Sequence, residues 1–349
     1  MSLITAVRQR TENLYKERQQ EDADRLALRR QSYLEAHPEL FRLFQALKEA
    51  RFERLNAVIE GAAAGGGAAQ KKIEEAAEEK LAAAEKDWQE ALGKAEAQGE
   101  APPEERYFCP QCKDQGRLGG KVCPACYPES IRYVLQESGI SYLPDPEASF
   151  DNFRLDIFSD ETIRLPGGRS SARLQAESNL KLMQDFAADF PENKKNYYFY
   201  GKTGTGKTYT ASCVVNALLD RGYMALIVGM MQFEEQTAKL RTLQNTYGVN
   251  AERLARAEEK YDLLVEADFL VLDEFGLRAG LLPNPEAELM MLFRERIIRS
   301  KPTLLTSNLM PKDLASHYNE RVLSRLMEYF EMRLFLGEDL RLKGKRRKG

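Results

Sequence analysis

Gly201-Lys202-Thr203-Gly204-Thr205-Gly206-Lys207-Thr208 has the spacing G-x-x-x-x-G-K-[ST], and each position has a physical task. Glycines let the backbone adopt positive φ and bring N–H groups close to phosphate oxygens. The Lys207 ammonium is placed to reach the β and γ phosphates, and the Thr208 hydroxyl to hold Mg²⁺. A helix starting here adds a partial positive charge beneath them. All eight residues, with Tyr209 after them, are candidate nucleotide contacts.

The flanks suit a phosphate loop. Asn196-Tyr-Tyr-Phe-Tyr200 is aromatic and β-prone and stops at Gly201. KTYTASCVVNALLD, Lys207 to Asp220, carries apolar residues at helical period and ends before Gly222. Downstream, Met224–Val228 reads as a buried strand. Phe269-Leu-Val-Leu-Asp273-Glu274 reads as another, ending in two acids. In that position Asp273 is expected on the Mg²⁺ shell, and Glu274 as the group that polarises the attacking water. Pro302-Thr-Leu-Leu-Thr-Ser-Asn308 is a further strand, with Asn308 at its polar end near the γ-phosphate or lytic water. Met332–Leu336 is a fifth. Five short strands alternating with helices predict a doubly wound parallel α/β sheet, whose ligands sit beyond the carboxyl ends of the strands.

Arg321 and Arg325 lie four apart on a predicted helix and share a face. Arg325 is a candidate arginine finger for a nucleotide held by a neighbouring copy, with Arg321 in support; the plainer reading is two surface arginines. Two helical stretches between Val228 and Phe269, Met230–Leu243 and Ala251–Leu264, exceed what a simple crossover needs. Their Lys239, Arg241, Arg253 and Arg256 are candidate phosphate contacts or a solvated face.

Cys109-x-x-Cys112 and Cys123-x-x-Cys126 form two close pairs among turn-forming Pro and Gly residues. Four thiolates suit one tetrahedral structural zinc ion; an iron–sulfur cluster or redox dithiols are the alternatives. Cys213, on the apolar face of the helix after the loop, reads as core.

The N-terminal hundred residues read as helices: Ser2 to about Ala36, a second from Pro38, and a third from Gln70 to about Lys94. Gly61–Gly67 is expected to break the second helix and let the last two form an antiparallel hairpin. Leu40, Leu43, Phe44, Leu47, Leu55 and Val58 are expected along its seam, facing Ile73, Ala77, Leu81, Ala84, Trp88 and Ala91.

The chain has 349 residues and a net charge of −3, so no overall basic field draws it to nucleic acid. It has no apolar run of the roughly 18 residues a membrane span needs. Its charged first residues do not read as a secretory leader, and the expected location is cytoplasmic.

P-loop, FLVLDE, LLTSN and ERVLSRL, in this order, resemble the AAA+ ATPases of the DnaC/DnaI helicase-loader group and their IstB-like relatives. Ser149-Phe-Asp-Asn-Phe153 resembles the stretch that leads into that core and covers the base, and C-P-x-C-x-D-x-G from Cys109 resembles the zinc knuckle of such loaders. The resemblance implies an AAA+ core at 196–340 with a reduced or absent lid, and few residues follow Asn308. It implies a helical, coiled-coil partner-binding region at 1–103, a four-cysteine zinc module at 104–130, a linker and entry segment of the ATPase at 131–195 and a basic tail at 341–349, with Arg341 a weak second sensor. The implied cofactors are ATP, Mg²⁺ and structural zinc. The implied partners are a DnaB-type replicative helicase hexamer, single-stranded DNA and further copies of the chain, with no membrane. A transposase helper of IstB type shares the same core; the long helical and zinc front favours the loader. A small-molecule kinase is disfavoured by the paired acids and by the Ser324-Arg325-Leu326 helix.

Overall fold

The computed structural model describes residues 3–64, 68–138, 144–165 and 168–341. They divide into two compact units. One is Tyr15–Gln115; the other joins the stretch up to Leu14 with the chain from Gly116 onward.

The larger unit is built on a five-stranded, wholly parallel sheet: β1 (Asn196–Tyr200), β2 (Ala225–Gly229), β3 (Phe269–Asp273), β4 (Thr303–Ser307) and β5 (Phe330–Leu334). The spatial order is β2-β3-β4-β1-β5. Among the described residues the helices begin with α1 (Leu3–Ala36), α2 (Pro38–Ala64) and α3 (Ala68–Ala97), then α4 (Tyr127–Glu137) and α5 (Ala172–Asp189). The rest are α6 (Lys207–Asp220), α7 (Met230–Gln244), α8 (Ala251–Glu266), α9 (Pro285–Ile298) and α10 (Glu320–Tyr329). Helices cover both faces of the sheet, so its strands read as continuous apolar runs without alternation. Tyr197, Tyr198 and Phe199 are all fully buried, as are Phe269 to Leu272. At about 1.5–3 kcal/mol per large apolar side chain, this core holds the strand ends rigid.

β4 lies between β1 and β3. The strand before the phosphate loop is therefore one strand away from the strand ending in Asp273, and the end of β4 projects between them.

Two boundaries differ from the sequence expectation. β2 is shifted one residue, to Ala225–Gly229. β5 starts at Phe330, directly from the end of α10, because Phe330 pairs with Asn196 and is buried. Phe335 then leaves the sheet, donating its N–H to the Tyr200 carbonyl (2.7 Å). The segment 131–195, expected as linker and entry to the ATPase, holds α5 and most of α4, whose Ile131, Val134, Leu135, Met183 and Phe186 are buried in the large core. Among the described residues no helical lid follows β5; only Leu340 and Arg341 turn helically. Of the basic tail, 341–349, all but Arg341 lies outside the described residues.

The smaller unit is helical. α2 and α3 pack as a hairpin, with Phe44 and Trp88 rings 5.6 Å apart. α2 runs through Gly61 to Ala64, since one glycine costs only about 1 kcal/mol and alanines follow it. The remainder of that glycine run, 65–67, lies outside the described residues. Leu40, Leu47, Ala50 and Ala57 form the buried seam, whereas Leu55, Val58 and Ile73 point to solvent. The cross-helix pair Lys80–Glu53 (2.6 Å) is half exposed and contributes roughly 0–1 kcal/mol. No helix among the described residues is long and apolar enough to cross a membrane.

Candidate nucleotide site and cysteine cluster

Gly206 caps α6 with φ +96, a conformation glycine adopts freely. The N–H groups of the first turn of α6 therefore face the loop instead of helix carbonyls. The loop is clamped from above by the chain leaving β5. A Cβ on Gly204 would collide with the Asp339 carboxylate, and one on Gly201 with the Phe335 carbonyl. Leu340 donates its N–H to the Gly204 carbonyl (3.0 Å).

A cleft of about 700 Å³ opens here, lined by Thr203 to Tyr209, Asp273, Glu274 and Thr306 to Asn308. Lys207 Nζ donates to the carbonyls of Gly201 (2.9 Å) and Lys202 (2.8 Å) and to Asn308 Oδ1 (3.0 Å). Gly201 and Lys202 thus hold the lysine and do not line the cleft. Burial pushes the Lys207 ammonium down to about 8; Asp273 opposes the shift and Arg341 adds to it. Thr208 Oγ1 donates to Asp273 Oδ1 (2.9 Å). Both oxygens are suited to share a divalent ion, whose charge would be offset by Asp273. Thr306 also donates to Asp273 and accepts the Glu274 N–H (3.2 Å). Glu274 takes a left-handed backbone (φ +59) that turns its exposed side chain out of strand direction and into the cleft wall.

Arg325 is exposed and does not line this cleft. It pairs with Glu328 (3.0 Å) and the Tyr329 hydroxyl (3.1 Å). Arg321 is likewise exposed on α10. Arg241, a candidate phosphate contact, instead grips Glu288 with two bonds (2.8 and 2.7 Å), and Arg256 pairs with Glu252 (2.6 Å). Cys213 is core, and burial pushes its thiol up to about 12.

The other wall of the cleft is aromatic. Phe153 stacks parallel to Phe158 (5.9 Å, 3°) and lies 5.8 Å from the Tyr209 ring. Phe150 instead packs on the core. Ile157, Phe158, Leu340 and Thr306 contribute without having been singled out in the sequence. Phe158, 3.6 Å from where a Gly206 Cβ would stand, is brought in by tertiary packing alone. Thr306 sat inside the quoted LLTSN run and was the readable signal.

The four cysteines are buried, with ligand atoms within 4.8 Å of one another, and none is in a disulfide. Sulfurs about 2.3 Å from one tetrahedral zinc ion fit that spacing. A cubane cluster needs its sulfurs further apart. Asp114 shapes the first turn: its carboxylate accepts from the N–H groups of Cys109 (2.7 Å) and Phe108 (2.8 Å). The Cys123 N–H donates to the Gly116 carbonyl (2.8 Å), which precedes the short hairpin Arg117–Leu118 and Lys121–Val122.

Strand order and cleft together describe a parallel α/β sheet in which the glycine loop after β1, the acids ending β3 and Asn308 after β4 meet at the carboxyl ends of the strands. No family model matches the chain. By sequence it is similar to the replicative helicase loader DnaI of Bacillus subtilis, 28% identical over 174 residues, covering 47% of this chain and 51% of that protein. It is also similar to the replicative helicase loader DnaC of Escherichia coli (strain K12), 26% identical over 196 residues, 56% and 69% of the two chains. A crystal structure of the DnaC helicase loader is 19% identical, with a TM-score of 0.40 over 53% of this chain and 97% of that one. The match thus spans about half the length of the DnaI relative. The likeness to the DnaC/DnaI group is present in the aligned sequences as well as in the motifs.

Proposed function

We propose that this protein is an ATP-dependent loader of a DnaB-type replicative helicase onto single-stranded DNA, acting in the cytoplasm during DNA replication. The observation that carries this reading is the convergence of Lys207, Thr208, Asp273, Glu274 and Asn308 on one cleft, in a chain similar to proteins named replicative helicase loaders.

In this reading ATP lies with its base against Phe153 and Tyr209 and its phosphates over Gly204–Thr208. Thr208 and Asp273 would hold Mg²⁺, which supplies charge neutralisation at the β and γ phosphates. Lys207 moves from its carbonyl partners to the phosphate oxygens. Glu274 polarises a water for in-line attack, and Asn308 orients it or the γ-phosphate. Arg325 of a neighbouring copy completes the site, so turnover rises on self-association, by roughly 10³–10⁵ if it acts as other fingers do. Zinc on the four cysteines supplies a fixed fold. The helical region and this module hold the helicase, and hydrolysis releases it.

The test is light scattering after size exclusion of the full chain mixed with its host's replicative helicase, with and without ATP. A stable, nucleotide-dependent complex is expected. No complex under any nucleotide condition would move the function to a transposase helper. Within the assembled complex Glu274→Gln should bind ATP and fail to hydrolyse it; hydrolysis at the wild-type rate would remove Glu274 from its role.

A further inference from the structure

Asn216 sits in the middle of α6, the helix that begins at the phosphate loop, and is almost wholly buried. Its side chain is fully committed, and to segments far away in the chain. Nδ2 donates to the carbonyls of Asp145 and Ala148, both at 2.8 Å. Oδ1 accepts from Arg132 Nη2 on α4 (2.8 Å), and Arg132 also reaches Asp220 (3.2 Å). Two carbonyls on one side and a guanidinium on the other determine which way the amide points.

Asp145 and Ala148 close a turn (Ala148 N–H to Asp145 carbonyl, 3.1 Å). The next residues build the aromatic wall of the cleft. The Asn152 N–H donates to Ser149 Oγ (3.1 Å), its side chain to the Glu147 carbonyl (3.2 Å), and the Phe153 N–H to the Phe150 carbonyl (3.3 Å). Only backbone turns separate the two carbonyls held by Asn216 from the Phe153 ring beside Tyr209. The bonds of the Asn216 side chain go to these segments and to α4, away from the phosphate loop, which is held from its other side by Phe335 to Leu340.

We propose that Asn216 is a positioning residue for the base of the nucleotide: it fixes the turn from which Phe153 enters the cleft, so it governs recognition of the base and not of the phosphates. This rests on the nucleotide-binding reading above. It predicts a separation that a general structural role would not produce.

The experiment compares binding of Mg-ATP and of Mg-tripolyphosphate, which has no base, to the full chain. The variants are Asn216→Asp and, as a direct probe of the wall, Phe153→Ala. Asn216→Asp keeps the acceptor for Arg132, loses both donors and sets a carboxylate against two carbonyls. ATP binding should weaken about tenfold, as expected for two lost hydrogen bonds relayed through a turn. Tripolyphosphate binding should stay within about twofold, which also certifies the folded loop. KM for ATP should rise with kcat retained at saturation. The double variant should bind ATP no more weakly than Phe153→Ala alone, because both act on one ring. Equal weakening of ATP and tripolyphosphate, additive losses, or no change in ATP binding would each overturn the proposal. Wild-type protein that binds neither compound would overturn the nucleotide reading itself, an outcome distinct from those three.

Discussion

The Lys207 ammonium lies 3.0 Å from Asn308 Oδ1, one hydrogen bond joining the phosphate loop to the end of β4. The bond exists because β4 runs between β1 and β3. Asn308 therefore lines the cleft beside Lys207, where the proposed function puts the γ-phosphate and its attacking water.

Replacing Asn308 with Ala removes a side chain that contacts a charged group, an interaction of about 1.5–3 kcal/mol. The expected result is a fall of about 10–100-fold in single-turnover ATP hydrolysis, with Mg-ATP affinity changed little. Hydrolysis at the wild-type rate would show that Asn308 only stores the lysine before nucleotide arrives.

Burial pushes the Lys207 ammonium down to about 8. A bound triphosphate stabilises the charged form and raises that value again. Affinity for Mg-ATP should thus be level below pH 8, where the free protein is already protonated. It should weaken as pH rises through 8, towards tenfold per unit. Calorimetry at pH 8.5 in buffers of different ionisation enthalpy should detect proton uptake on binding. Constant affinity up to pH 9.5 without proton uptake would contradict the assignment.

Arg296 on α9 is wholly buried and acts as a staple. It donates to the carbonyls of Leu264 (2.7 Å), Val265 (3.1 Å), Ala267 (2.9 Å) and Pro302 (2.7 Å) and to Thr303 Oγ1 (2.9 Å). Burial pushes its guanidinium down to about 9. Arg296→Leu would strand four carbonyls at the end of α8 and the start of β4. A loss of about 3 kcal/mol or more is expected, read as a lower urea midpoint. Arg296→Lys, lacking the planar fork, should recover only part of it.

Protein purified under reducing conditions without chelator should carry about one zinc per chain. Cys123→Ser should lose the metal and lower the melting temperature by several degrees. Elemental analysis finding neither zinc nor iron in the wild-type protein would dismiss the metal site.

The sheet and the convergence of Lys207, Thr208, Asp273 and Asn308 on one cleft were readable in the sequence because each rests on local chemistry. A glycine loop between a strand and a helix, or a strand ending in acids, announces its own geometry. The aromatic wall was only half readable. Phe153 stood in a recognisable run, but Phe158 reaches Gly206 through packing that no periodicity records. Leu55 and Val58 were expected in the hairpin seam and face solvent, since a helical wheel shows an apolar stripe without showing whether anything covers it. Arg241 illustrates the same limit for charge. Its partner, Glu288, lies on α9, so a residue that looked available for phosphates is already engaged.

The clamp formed by Phe335 to Leu340 also bears on how the phosphate loop moves. Gly201 and Gly204 are fenced by the Phe335 backbone and the Asp339 carboxylate of the same chain, and the Gly204 carbonyl is tied to Leu340. If this fencing holds in solution, the loop is a preset cradle and not one that orders around a ligand. Deuterium should therefore enter its amides slowly even in nucleotide-free protein, and the entropy of ligand capture should reflect released water more than a stiffened chain.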